Sequence, residues 1–197
     1  MKRGAPAAVC LALAVAVAGA ARAWSPSPSA ELRLQQGGVV AEVHPGAAPS
    51  SGIIHAAIDI RAPAAAIWTV MMDCARASRM VAYVKQCKVV EADPAGLWDV
   101  REHLVEYGFP FPRLRSLVRT EYLPGRRASF RCLPGGDLKK CDGEWRLESL
   151  PDGVVRVIYE NRVVSPFPAP GFMVRRIFKK DVVKALGNLR REALAGP

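Results

Sequence analysis

Between residues 84 and 164, turn signals cut the chain into strand-length pieces, and this cadence constrains the fold more than any other feature. The pieces are Val84–Ala92, Leu97–Tyr107, Arg113–Leu123, Arg127–Leu133, Lys140–Leu150 and Val154–Val164. Turns fall at Asp93-Pro94-Ala95-Gly96, Pro124-Gly125, Pro134-Gly135-Gly136-Asp137 and Pro151-Asp152-Gly153. Connections of this length join antiparallel neighbours, so the segment predicts a β-meander.

Two more features complete the outline. Upstream, Ile54, Ala56, Ile58 and Ile60 alternate along a further strand, Ile53–Ile60. Pro63 then opens a helix over 63–73, and a second short helix covers 75–81. Downstream, Pro166, Pro168 and Pro170 end the last strand. Residues Gly171 to Ala195 follow as one long helix whose apolar stripe is Phe178, Val182, Ala185, Leu186, Leu189 and Ala193. A curved antiparallel sheet has one face to bury, and such a helix covers it, so the class is α+β. Residues 24–52 are expected to form a Pro/Ser linker and a small hairpin, Glu31–Val43, turning at Gly37-Gly38.

Strand alternation assigns faces. Val118, Phe130, Trp145, Tyr159 and Asn161 are predicted to point inward, with Ser116, Thr120 and Tyr122 in the same phase. In the strand 97–107, the apolar alternation of Trp98, Val100 and Leu104 places Glu102 inward as well. Phe172 and Phe178 extend the wall from the last helix. An ionised Glu is a poor core residue without a partner, whereas a cavity holding water or an amphiphile accommodates it. The candidate ligand-binding set is therefore Val100, Glu102, Leu104, Val118, Phe130, Trp145, Tyr159, Asn161, Phe172 and Phe178.

The N-terminus reads as a leader. Lys2 and Arg3 precede an apolar run from Val9 to Ala21, and Ala21-Arg22-Ala23 has the form of a cleavage signal. A signal peptide over residues 1–23 implies an exported, periplasmic protein. The chain carries 28 Lys and Arg against 18 Asp and Glu, for a net charge of +10. Removing Lys2, Arg3 and Arg22 lowers that charge to +7. Cys10 leaves too, and Cys74, Cys87, Cys132 and Cys141 remain. An even count in an exported chain reads as two disulfides, of which neighbour pairing is the simplest arrangement. Cys132 opposite Cys141 would also set Phe130 opposite Gly143.

Half of the residues are apolar and the charges are not blocky, which excludes a disordered tail and a coiled coil. Only the leader approaches spanning length, which excludes a polytopic membrane protein. No Gly-x-Ser-x-Gly, His-Glu-x-x-His, Cys-x-x-Cys or phosphate-binding Gly-rich loop is present. No metal or cofactor is implied. Glu102 is the one acid–base candidate, and His103 beside it points to the opposite face. Basic residues gather at Arg175, Arg176, Lys179, Lys180 and Lys184 and around Arg113–Arg127. Such a surface suits an anionic membrane. Nucleic acid is not expected, because the aromatics point inward rather than lying among the basic residues.

Two local motifs carry a family resemblance. Ile58-Asp59-Ile60-Arg61-Ala62-Pro63, leading through Ile67-Trp68 to Asp73, resembles the opening of the START / polyketide cyclase-like (SRPBCC) superfamily. Val100-Arg101-Glu102-His103, followed by Tyr107-Gly108-Phe109-Pro110-Phe111-Pro112 and Arg115, resembles its central strand pair, with Ser116 where that pattern has Asp. The long final helix fits too. The resemblance spans about residues 53–195 and is nearest to exported START-like proteins and the coenzyme Q-binding branch. It implies a helix-grip fold with an apolar tunnel between sheet and last helix, holding a lipid, sterol, quinone or polyketide. The expected function is binding of a hydrophobic small molecule, with carriage as an extension of it. A cyclase or dehydratase using Glu102 and a ligand-free envelope interaction protein are the alternatives.

Overall fold

The computed structural model describes residues 23–109, 111–138, 140–167 and 169–196. All but Ala23 of the expected leader lies outside the described residues. The chain opens with a helix, α1 (Pro28–Gln35), where the first arm of a hairpin was expected. Ser27 caps it by accepting a hydrogen bond from the Ala30 N–H, and Pro28 occupies the first turn. Gly37, at φ +78°, takes the left-handed conformation that closes the helix. The Gly-Gly pair thus joins a helix to a strand and does not turn one strand onto another.

Next come β1 (Val39–Pro45), β2 (Ser51–Ile60), α2 (Ala64–Met72), a single helical turn at Cys74–Arg76, and α3 (Ala77–Met80). Six strands follow: β3 (Val84–Ala92), β4 (Trp98–Val105), β5 (Leu114–Leu123), β6 (Arg127–Cys132), β7 (Cys141–Ser149) and β8 (Val155–Val164). The last element is α4 (Gly171–Ala195). One antiparallel sheet runs in the order β1-β2-β8-β7-β6-β5-β4-β3, and α4 lies over β1, β2, α2 and α3. This is the α+β helix-grip arrangement.

Two cores flank the sheet. On the concave side, Ile58, Ile60, Ile67, Val157 and Leu186 are fully buried among the helices. Asn188, the polar residue in the buried stripe of α4, donates to the Arg79 and Met80 carbonyls and so ties α4 to α3. On the convex side, α1 sets Ala30 and Leu34 against Val40, Ala57 and Ile158. Arg156 is buried at that junction. It forms paired hydrogen bonds with Asp59 at 2.7 and 2.8 Å and with Glu31 at 2.8 Å twice, joining helix to sheet.

Disulfides link Cys74 to Cys87 and Cys132 to Cys141. The second closes the β6–β7 hairpin, and Phe130 stands opposite Gly143 as expected. A Cβ on Gly143 would collide with the backbone carbonyl of Glu160 on β8 and lie 2.8 Å from Phe130 Cζ, so only glycine fits there.

The phase of β4 differs from expectation. β4 pairs with β5 without a break, from Trp98 opposite Glu121 to Val105 opposite Leu114. Asp99, Arg101, His103 and Val105 therefore face inward beside Thr120, Val118, Ser116 and Leu114. Val100, Glu102 and Leu104 lie on the convex face. The apolar alternation is real but clothes the outside: the Arg119 guanidinium covers Trp98 at 3.9 Å, and Val100 is buried there.

Candidate functional site

The concave face of the sheet is filled at one end and open at the other. Inward residues of β8 and β7 line the open end with aromatic rings. Trp145 and Tyr159 meet at 4.3 Å between centroids, and Phe130 stacks on Tyr159 at 6.0 Å. α2 and α3 supply Met71, Met72 and Met80, unbranched side chains that adapt to irregular space.

Two chambers of about 310 Å³ each lie between these walls. They share Met71, Met72, Met80, Trp145, Tyr159 and Asn161, so they are two ends of one cleft. The first lies under α4, where Phe178, Val182, Ala185 and Leu189 cover it. Its lining is apolar apart from Tyr83, Tyr107, Tyr159, Asn161 and Asp181. Burial raises the Asp181 carboxyl above its usual range, against the pull of Lys180 and Lys184. Burial also raises the Tyr107 hydroxyl, with the Asp181 charge adding to the effect.

The second chamber lies under α2 and α3, against β3–β7, and adds several polar side chains to a mostly apolar wall. Asp73, Arg101, His103, Thr120 and Tyr122 line it. Arg101 grips Asp99 through Nε and Nη2, both 2.9 Å from Oδ2. The His103 imidazole is pushed down to about 4, first by burial and then by the Arg101 charge, so it is neutral at pH 7. The Tyr122 hydroxyl is raised by burial, partly offset by Arg101. It is buried with Asp99 and Thr120 beside it, yet it closes no hydrogen bond.

Asn161 sits where the chambers join. Its Nδ2 donates to the Tyr159 hydroxyl at 2.7 Å, and its buried Oδ1 has no partner. Burial pushes the Tyr159 hydroxyl up to about 12. Among the described residues, two of the three buried side-chain polar atoms without a partner, Tyr122 Oη and Asn161 Oδ1, belong to residues lining this cleft. Leaving such an atom unpaired costs about 1–3 kcal/mol, which a guest with complementary polar atoms offsets.

Of the residues singled out from sequence, Val118, Phe130, Trp145, Tyr159, Asn161 and Phe178 line the cleft. Phe172 is 68 % exposed on the outer side of α4 and does not line it. Val100, Glu102 and Leu104 are excluded by the register of β4. Glu102 pairs instead with Arg115 at the surface, so it lies outside the cavity for which it was expected to be the acid–base group. Sequence reasoning missed Arg101, His103, Asp73 and the paired methionines. The signal was present in Asp99-x-Arg101-x-His103, polar residues at strand spacing, but the apolar alternation in the opposite phase masked it.

Comparison with known proteins places this geometry among others of its kind. The family model described as polyketide cyclase / dehydrase and lipid transport matches residues 60–190. A STAR-related lipid transfer protein from Xanthomonas axonopodis superposes with a TM-score of 0.68 at 13% identity, covering 80% of this chain and 94% of its own. A START superfamily protein from Mycobacterium smegmatis gives 0.62 at 15% identity, covering 73% and 97%. The Zhui aromatase/cyclase from Streptomyces sp. R1128 gives 0.57 at 15% identity, covering 74% and 92%. At such identities these neighbours establish a shared fold. No curated protein matches the chain in sequence.

Proposed function

The chain belongs to the polyketide cyclase / dehydrase and lipid transport family, and from that premise we propose that it binds an amphiphilic small molecule, its apolar body under α4 and its polar group against β4 and β5. The observation that carries this reading is the division of the cleft. A chamber walled mostly by apolar side chains continues into one that adds Arg101, His103 and Thr120 to its wall, and Asn161 Oδ1 at their junction and Tyr122 Oη beyond it are buried without partners. Burial of the body drives binding at roughly 25 cal/mol per Å² before ordering costs, and the unpaired atoms orient the head. A lipid, sterol or isoprenoid quinone has this shape.

Binding without turnover is the better reading than cyclisation or dehydration. With Glu102 outside, Asp73 is held by Arg76 at 3.1 Å and His103, with a pKa near 4, is a weak base at neutral pH, which leaves the cyclase reading Asp181 under α4 as its acid–base candidate.

Carriage between membranes extends the proposal. Phe109, Phe172, Met173 and Ile177 are exposed, with Arg175, Arg176, Lys179 and Lys180 among the last three. Apolar side chains within a basic belt suit an anionic bilayer, which attracts each Lys or Arg by about 1 kcal/mol. Sedimentation with phosphatidylglycerol vesicles is expected at low salt and lost with Lys179→Glu and Lys180→Glu together. An exported location completes this reading, since the two disulfides need an oxidising compartment.

Native mass spectrometry of protein purified from its own host tests the central claim. A bound amphiphile is expected. Asn161→Leu should retain about one-tenth of it, as loss of one hydrogen bond to a buried partner implies. Protein recovered empty, and still empty after incubation with a total lipid extract of the host, would refute the proposal.

A further inference from the structure

The convex face carries a side-chain cluster that the cleft does not use. Glu42 and His44 alternate along β1, an edge strand, and so share one face. His55 stands directly opposite Glu42 on β2, and Glu160 directly opposite His55 on β8. One row across three strands therefore reads carboxylate, imidazole, carboxylate, with a second imidazole one step along the edge. Donor atoms of Glu42, His44 and His55 all lie within 4.8 Å of one another. His44 Nε2 is 3.5 Å from Glu42 Oε2, and His55 Nε2 is 3.7 Å from Glu160 Oε2.

The surroundings orient this set. The Trp24 ring stacks on His55 at 5.4 Å between centroids. Arg146 donates to Glu160 Oε1 at 2.8 Å and to the Trp24 carbonyl at 2.9 Å, which leaves Glu160 Oε2 turned toward His55. The buried Nδ1 of His55 has no hydrogen-bond partner. The third buried orphan among the described residues thus sits in this cluster.

We propose that Glu42, His44 and His55 bind one divalent first-row transition-metal ion, with Glu160 Oε2 as a fourth ligand or as the partner that orients the His55 ring. Two imidazoles and a carboxylate form a nitrogen–oxygen donor set suited to Zn²⁺ and Cu²⁺, whereas Ca²⁺ and Mg²⁺ need oxygen donors throughout. Tetrahedral Zn²⁺ with bonds of about 2.1 Å holds its donors roughly 3.4 Å apart. The present spacing of up to 4.8 Å must close to that value, and the side chains of His44 and Glu42 have room to turn, at 56% and 36% exposure. The site bridges the edge strand to its neighbour, so an ion there would clamp β1 onto β2.

Titration calorimetry of the untagged, disulfide-bonded protein with ZnCl₂ and then CuCl₂ tests this after dialysis against a chelator. One ion per chain is expected, with a rise in Tm on Zn²⁺ addition. His44→Ala and His55→Ala should each weaken binding at least about ten-fold and abolish the rise in Tm. The Cu²⁺ complex should show two nitrogen donors by electron paramagnetic resonance. If His55→Ala fails to fold, His44→Ala decides, since that side chain is largely exposed. Absence of saturable binding of either ion, or binding that His44→Ala leaves unchanged, would overturn the proposal and leave the cluster as ordinary cross-strand pairs.

Discussion

The two ends of the concave face obey different rules. Where the Ile58–Ile60 end of β2 pairs with β8, Ile58, Ile60 and Val157 are fully buried against α2 and α4. Where β4 and β5 pair, the same face carries Asp99, Arg101, His103, Ser116 and Thr120, and the space before them is a chamber. One sheet thus builds a solid core at one end and a lined cleft at the other. The contrast teaches that the apolar residues of β4 were displaced to the convex face because its concave side does not serve as core.

The largest expected effect breaks the filled end. Leu186→Ala should lower stability by about 2–5 kcal/mol in urea unfolding, because its neighbours cannot collapse into the void. Met80→Ala, bordering both chambers, should lower it by well under 2 kcal/mol, since less packing surrounds that side chain. Equal effects would mean that the two ends are packed alike.

A second, smaller effect belongs to the open end alone. The folded state holds His103 neutral down to about pH 4, whereas the unfolded chain protonates it near 6.5. The unfolded state therefore binds more protons across that window, and stability falls on acidification, by on the order of 2–3 kcal/mol between pH 6.5 and 4. Asp99 and Arg101 flank the ring, and their opposing charges partly cancel. His103→Phe should flatten this part of the stability–pH curve. A curve of unchanged slope would place the titrating group elsewhere.

The smallest effect sharpens the contrast between faces. Glu102→Gln, one residue from His103 but on the convex side, should shift stability by less than about 0.5 kcal/mol and leave the bound amphiphile unchanged. A loss of ligand in that variant would return Glu102 to the cleft and contradict the β4 register.

Much of this was legible in the sequence. Turn residues bound the strands β3 to β8 to within two residues, and the stripe of α4 identified the covering helix. Alternation placed Trp145, Tyr159 and Asn161 inward because on β7 and β8 the apolar residues and the concave face coincide. On β4 they do not, so the same rule inverted Asp99, Arg101 and His103. The Ser27-Pro28 start signal of α1 was readable too, but the Gly37-Gly38 turn drew the segment into a hairpin.

Local pattern by itself therefore determined where β3 to β8 begin and end and that a sheet would curl against one helix. Those properties depend on neighbours a few residues apart. Tertiary structure alone decided which face of β4 looks inward, that α1 buries Arg156 on the convex side, and that Glu42, His44, His55 and Glu160 meet across three strands. A strand's phase is set by hydrogen-bond register with its neighbour, and register is fixed by the whole sheet.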